Sequence, residues 1–208
     1  MEKAIFFPVG GLQLEGMFYS AGDLGAVICH PHPLYGGSME NNVVHAAAQT
    51  LQRHGWSTLR FNFRGVGRSQ GSTGDGTDET EDVLAAIAFL QERQGIPPHR
   101  VVLIGYSYGA WVGLRALGRS RSLLGWVAIA PPVGIWDFSF AAGIAGKKLI
   151  LAGDRDEFCP QQALKDFFDS LQEPKECRIV QGADHFFWSQ ESALSRAMEL
   201  VAKSWADG

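Results

Sequence analysis

"VVLIGYSYGAWVGL", Val101 to Leu114, is the stretch that decides the fold. An apolar run ends on Gly105, Ser107 stands two residues from Gly105 and from Gly109, and helical patterning follows at once. A strand that becomes a helix without a loop forces its junction residue into a strained backbone and lifts that residue's hydroxyl clear of the sheet. The flanking glycines let strand and helix approach without Cβ clashes. The pattern G-x-S-x-G is weak by itself. With 25 Gly and 14 Ser in 208 residues, chance supplies it roughly 0.2 times per chain. A second copy, "GRSQG", runs from Gly67 to Gly71. Context separates the two: Ser69 precedes "GSTGDGTD", a run of turn formers in which nothing is expected to pin its hydroxyl. Ser107 is therefore the candidate nucleophile. Tyr108 N–H, next along, opens a helix and suits an oxyanion.

Outward from this junction, strand and helix patterns alternate. "AIFFPV" and "LQLEGMFYS" read as antiparallel strands joined by a glycine pair. "GAVICH", "WSTLRFNF", "RVVLIG", "GWVAIA", "KKLILAGD" and "CRIV" read as further strands. Between and after them lie helical segments: "NNVVHAAAQTLQRHG", "DETEDVLAAIAFLQERQG", the stretch after Ser107, "QQALKDFFDSL" and "QESALSRAMELVAKSWA". Strands that are apolar throughout, rather than alternating, indicate a parallel sheet covered on both faces. The expected fold class is α/β, a doubly wound, mostly parallel sheet with antiparallel N-terminal strands, in one domain over residues 1–208.

Composition narrows the function classes. The hydrophobic share of 46% and charged share of 19% suit an ordinary globular domain. Net charge is −4, and the cations are scattered, which argues against nucleic acid or an anionic membrane as partner. The N-terminal "MEKAIFFPVGG" is too short an apolar run for a secretory leader, and no stretch reaches the ~20 apolar residues of a membrane span. Three cysteines without C-x-x-C spacing fit a reducing compartment. A cytoplasmic enzyme is the expectation, with its oligomeric state unreadable.

In such sheets the chemistry sits where the strands end at their carboxyl termini. A serine hydroxyl needs a base to take its proton and a carboxylate to orient that base. His185, in "GADHFFW", is the one histidine of six that follows the last strand. The acid comes from "GDRDEFCP": Asp156 is favoured over Asp154, because the acid nearer the strand end tends to serve its own turn. Asp184, beside His185, reads as structural. The order Ser107, Asp156, His185 is the one expected of this architecture.

Together these residues resemble the α/β-hydrolase superfamily, over almost the whole chain: Gly105–Gly109 as nucleophile elbow, "GDRDEFCP" as acid loop and "GADHFF" as histidine loop. "HPHPLYGGSMENNVV" and "RFNFRGVGRSQG" are similar to a narrower group, small lid-less hydrolases whose oxyanion loop begins His-Pro-His-Pro. Many of that group carry D-x-R-G-x-G-x-S after the fourth strand; here Asn62 replaces the Asp. The resemblance implies a serine hydrolase without cofactor whose second oxyanion donor comes from the loop after Cys29. Pro31 and Pro33 have no N–H to give, so His32 N–H is the choice and Leu34 the reserve. His30 is expected to brace the loop. No acid or cysteine nearby completes a metal set with His30 and His32.

The interval "PPVGIWDFSFAAGIAG" before the acid-bearing strand is too short for a cap domain, so an open site is expected. Leu34, Tyr35, Trp136 and Phe186 are the candidate substrate-binding residues, with Phe138, Phe140, Phe187 and Trp188 nearby in sequence. The expected substrate is a small-molecule carboxylic ester with a small or medium acyl group. A peptidase or amidase of the same fold, or a non-catalytic binding module, is the alternative. Dehalogenation in its usual form needs an Asp where Ser107 stands.

Overall fold

The computed structural model describes residues 1–119 and 123–206. The chain starts as a hairpin: β1 (Lys3–Val9) and β2 (Leu12–Tyr19) meet across Gly10 and Gly11, whose φ values of +50° and +84° only glycine adopts without strain. Then come β3 (Gly25–Cys29), α1 (Asn42–Arg53), β4 (Ser57–Phe61), α2 (Glu79–Gln94), β5 (Val101–Tyr106) and α3 (Tyr108–Leu117). The second half runs β6 (Gly125–Ile129), β7 (Lys147–Gly153), α4 (Gln161–Ser170), β8 (Lys175–Val180) and α5 (Glu191–Ser204). The strands form one sheet in the order β1-β2-β4-β3-β5-β6-β7-β8. β1, β2 and β4 pair antiparallel; from β4 onward every pairing is parallel. No helix among the described residues is long and apolar enough to cross a membrane.

Two apolar layers sandwich this sheet, which is why its central strands carry no polar alternation. Along β5, Val101 and Leu103 face α2, α3 and α4, while Val102, Ile104 and Tyr106 face α1 and α5. The helices supply matching faces: Val83, Ile87 and Leu90 from α2 on one side, Val44, Leu51, Leu194 and Met198 from α1 and α5 on the other. Between β6 and β7 the chain makes only a short 3-10 turn at Ser139–Gly143, so among the described residues no cap covers the carboxyl ends of the strands.

β8 departs from the expected buried run. It starts at Lys175, lies at the sheet edge and alternates partly buried with exposed residues, Ile179 being 41% exposed. An edge strand has one neighbour, so half its side chains meet water. Arg60, a charge inside the fully buried β4, is explained by its partners: the guanidinium donates to Glu2 (2.8 Å), Glu40 (2.7 Å) and the Met39 carbonyl (3.0 Å).

The long loop after β4 is tied down by acids from the first turn of α2. Arg64 donates to both oxygens of the buried Asp82, the shortest contact being 2.6 Å, and Asp82 also accepts the Arg64 N–H at 2.9 Å. Burial pushes the Asp82 carboxyl above its usual range, against the pull of Arg64. Glu79, likewise buried, accepts the N–H groups of Gly74 (2.6 Å) and Gly76 (3.0 Å). Removing the cation alone strands a buried charge. Arg64→Met is expected to cost about 3–5 kcal/mol in urea unfolding. Arg64→Met combined with Asp82→Asn, which keeps an acceptor for the Arg64 N–H, should recover most of that loss.

Candidate active site

Ser107 sits at φ 53° and ψ −116° between β5 and α3, a backbone that a residue with a Cβ adopts only under constraint. Its N–H still pairs with the Ile129 carbonyl of β6 at 2.9 Å, so the sheet holds it up to the turn. A Cβ on Gly105 would lie 2.4 Å from the Ala110 Cα, and one on Gly109 2.5 Å from the Cys29 carbonyl oxygen. Both glycines are therefore required by backbone contact. The second contact also packs the end of β3 directly against the start of α3.

The structure brings Ser107, His185 and Asp156 into one hydrogen-bonded chain. Ser107 Oγ lies 2.8 Å from His185 Nε2, and His185 Nδ1 lies 3.0 and 2.9 Å from the two Asp156 oxygens. With a carboxylate at Nδ1, the imidazole carries its proton there, which leaves Nε2 to accept from the serine hydroxyl. Asp156 is itself oriented by the N–H groups of Phe158 (2.9 Å) and Cys159 (3.1 Å). Asp154 turns the other way and accepts the Gly182 N–H at 2.6 Å, tying the acid loop to the histidine loop. Asp184 accepts the N–H of Phe186 at 2.9 Å.

The loop after Cys29 lies beside the elbow, with the His32 ring centroid 4.5 Å from that of Tyr108. Its fold decides which amides are free. His32 Nδ1 accepts the Leu34 N–H at 3.2 Å, and the His32 carbonyl accepts from Tyr35 (3.1 Å) and Gly37 (3.0 Å). The N–H groups of His32 and Tyr108 meet no acceptor among the described residues. Partial burial holds the His32 imidazole below its ordinary pKa. His30 is fully buried with both ring nitrogens engaged: Nδ1–H donates to the Pro31 carbonyl (2.6 Å) and Nε2 accepts the Phe63 N–H (3.1 Å). It joins the loop after β3 to the segment that follows β4.

Apolar side chains lie on the loops that carry this centre and on the connection after β6. Leu34 and Tyr35 are 76% and 88% exposed, and Phe186 is half-exposed. Trp136 is partly buried between Trp111 (5.0 Å between ring centroids) and His32 (6.1 Å). Phe138 and Phe187 belong to the core, whereas Phe140 and Trp188 stay accessible. Ser69 corrects an expectation: its hydroxyl is pinned, donating to the Asn62 carbonyl at 2.7 Å and accepting the Glu15 N–H at 3.0 Å. Asn62 itself bridges the Met39 N–H and the Glu15 carboxylate.

Residues 27–148, more than half of the chain, match the model of the family described as serine aminopeptidase, S33. The chain belongs to this family of α/β hydrolases. Protein RP471 of Rickettsia prowazekii (strain Madrid E) is 37% identical over 197 residues, 89% of this chain and 82% of that protein. Among solved structures, an α/β serine hydrolase homologue from Coxiella burnetii is similar at a TM-score of 0.87 and 32% identity, covering 95% of each chain. XC6422 from Xanthomonas campestris, an α/β serine hydrolase without lid, is similar at 0.87 and 30% identity, covering 98% of this chain and 94% of its own.

Two contacts of this α/β hydrolase had no sequence signal. Phe158 sets its ring edge-on to His185 at 4.7 Å, and the Tyr106 hydroxyl donates to the His185 carbonyl at 2.9 Å. Neither residue type belongs to a pattern, and each partner is distant in sequence. His30 gives a pH test. Burial lowers its pKa from 6.5 to about 4, so between those values the unfolded chain binds a proton that the folded chain does not. Stability should therefore fall as pH drops from neutral toward 4, by about 3 kcal/mol in full. Urea midpoints at several pH values will read this slope, and His30→Gln should remove that contribution.

Proposed function

We propose that this chain hydrolyses carboxylic esters of small or medium acyl groups through an acyl-enzyme, with Ser107, His185 and Asp156 as its catalytic residues. The observation that carries the reading is the continuous hydrogen-bond chain from the Ser107 hydroxyl through the imidazole to a buried carboxylate. His185 Nε2 takes the Ser107 proton as Oγ attacks the ester carbonyl. The amides of Tyr108 and His32 receive the developing oxyanion; among the described residues, both are free of other acceptors. His185 then gives its proton to the departing alcohol, and Asp156 stabilises the imidazolium while that proton is held. Water, deprotonated at Nε2, attacks the acyl-enzyme and frees the acid with Ser107 restored.

Leu34, Tyr35, Trp136 and Phe186 form the substrate-contacting rim. They suit a neutral, apolar acyl or alcohol group. The chemistry needs no cofactor, and a small ester is the partner this reading requires. A cytoplasmic setting fits the three unpaired cysteines. The peptidase named in the family description favours one second reading, amide hydrolysis by the same centre.

A fluorophosphonate probe, read by intact mass, tests the site. One adduct is expected on the wild type and on Ser69→Ala, and none on Ser107→Ala. An adduct on Ser107→Ala would sink the assignment, and no adduct on the wild type would indicate a binding module. Against short-chain p-nitrophenyl esters, Ser107→Ala and His185→Ala should each lose about 10^4–10^6 in kcat. A matched anilide cleaved faster than its ester would move the function to amide hydrolysis.

A further inference from the structure

We propose that Tyr106 is a positioning residue whose phenol hydroxyl, donating to the main-chain carbonyl of His185, sets the distance between the imidazole and Ser107. This rests on the reading of Ser107 and His185 given above. Tyr106 is the last residue of β5, paired with Ile129 of β6 and adjacent to Ser107. Its hydroxyl therefore moves with the nucleophile. The bond to His185 spans 79 residues of sequence at 2.9 Å and is buried.

The histidine loop needs such a tether. Beyond its own local turns and the side-chain bonds of His185 to Ser107 and Asp156, the main chain of residues 181–190 is held, among the described residues, by three hydrogen bonds from the rest of the chain. Arg155 N–H donates to the Ala183 carbonyl (3.0 Å), the Asp154 carboxylate accepts the Gly182 N–H (2.6 Å), and Tyr106 reaches His185. Only the last acts on the main chain of His185 itself. Just beyond, Phe187 and Ser189 hold φ values of 55° and 60°, left-handed for residues that carry a Cβ. Such backbone persists only where its surroundings fix it. The buried ring of Phe187 fixes that strained segment at its start, and the Tyr106 hydroxyl fixes the main chain two residues before it.

Volume does not explain the hydroxyl. The Tyr106 ring packs in an apolar layer with Ile129, Ala130 and Phe187, where phenylalanine would fill the same space without a polar group to desolvate. Burial, with Asp156 and Asp184 nearby, also pushes the phenol well above its ordinary pKa, so it remains an O–H donor.

Tyr106→Phe removes the donor and keeps the ring. With fluorophosphonate saturation kinetics and p-nitrophenyl acetate turnover, the limiting labelling rate and kcat should fall about 10- to 100-fold. The half-saturating probe concentration and KM should stay within about twofold of wild type, since the tether acts on the reacting geometry. Thr50→Val, which deletes a buried hydroxyl on α1 that bonds the Ala46 carbonyl, the Ser195 hydroxyl and Arg53, controls for lost stability and should leave both rates unchanged. Circular dichroism normalises each rate to the folded fraction. Unchanged rates in Tyr106→Phe, or an equal fall in Thr50→Val, would overturn the tether while Ser107 labelling keeps the site. Wild-type protein that fails to label, or Ser107→Ala that labels, would remove the site and the tether together.

Discussion

The backbone of one residue, Ser107, is the constraint around which the carboxyl end of the sheet is built. Its torsions cost about 1–3 kcal/mol, and neighbours on every side enforce them. β6 accepts its N–H, α3 begins at the next residue, and the end of β3 presses on Gly109 so closely that a Cβ there would overlap the Cys29 carbonyl. None of those neighbours can yield cheaply. β3, β5 and β6 are buried at every residue, and shifting any of them disturbs both apolar layers. The rigidity of the sheet is what keeps the hydroxyl raised.

The loops around that hydroxyl are divided by which backbone N–H groups each polar side chain collects. Asp154, Asp156 and Asp184 are chemically alike, yet each serves different donors. Asp156 takes two amides of its own turn and still faces the imidazole, Asp154 takes Gly182, and Asp184 takes Phe186. The histidines divide in the same way. His30 is sealed between the Pro31 carbonyl and the Phe63 amide, while His32 uses its ring on Leu34 and its own N–H meets no acceptor among the described residues. In a two-residue offset, one histidine braces the loop from the buried side and the other braces its 3-10 turn. Leu34, whose N–H is already taken, contributes an exposed side chain instead.

The fold was legible because its strongest signals are local. Central strands buried on both faces read as apolar runs, helix stops such as Gly95 adopt the left-handed cap that their position suggests, and the elbow concentrates its information in five residues. What stayed hidden depends on partners far along the chain. Nothing near Ser69 predicts that Glu15, 54 residues earlier, would pin its hydroxyl. Glu79 and Asp82 stand in the first turn of α2, where any acid suits the helix N-terminus, yet they are buried anchors for Gly74, Gly76 and Arg64. Edge position, which exposes half of β8, is a property of sheet order and has no local sign. Tyr106 and Phe158 carry no local sign for the same reason: an aromatic in a strand or a loop looks like filler until its partner is seen.

The distribution of exposed apolar surface adds one more argument about the centre. Among the described residues, the large hydrophobic side chains left in water include Leu34, Tyr35, Ile135, Phe140, Phe158, Phe186 and Trp188. All seven lie on segments that follow β3, β6, β7 or β8, the end of the sheet where Ser107 stands. Elsewhere such exposure is scattered: Phe6 on β1, Ile179 on β8, Leu200 on α5. Exposed apolar groups carry a solubility cost, and their gathering on the loops at that end of the sheet suits a contact surface. Among the described residues no cap segment shields these groups, because the 3-10 turn between β6 and β7 is too short to reach over them. On the ester reading, the substrate itself completes the enclosure. Its acyl and alcohol groups would displace water from the aromatic rim and from around His185, whose ring is already flanked by Phe158 and Phe186. The proton transfers would then run in a drier environment than the free protein provides, which strengthens the Asp156–His185 pair at the step that needs it.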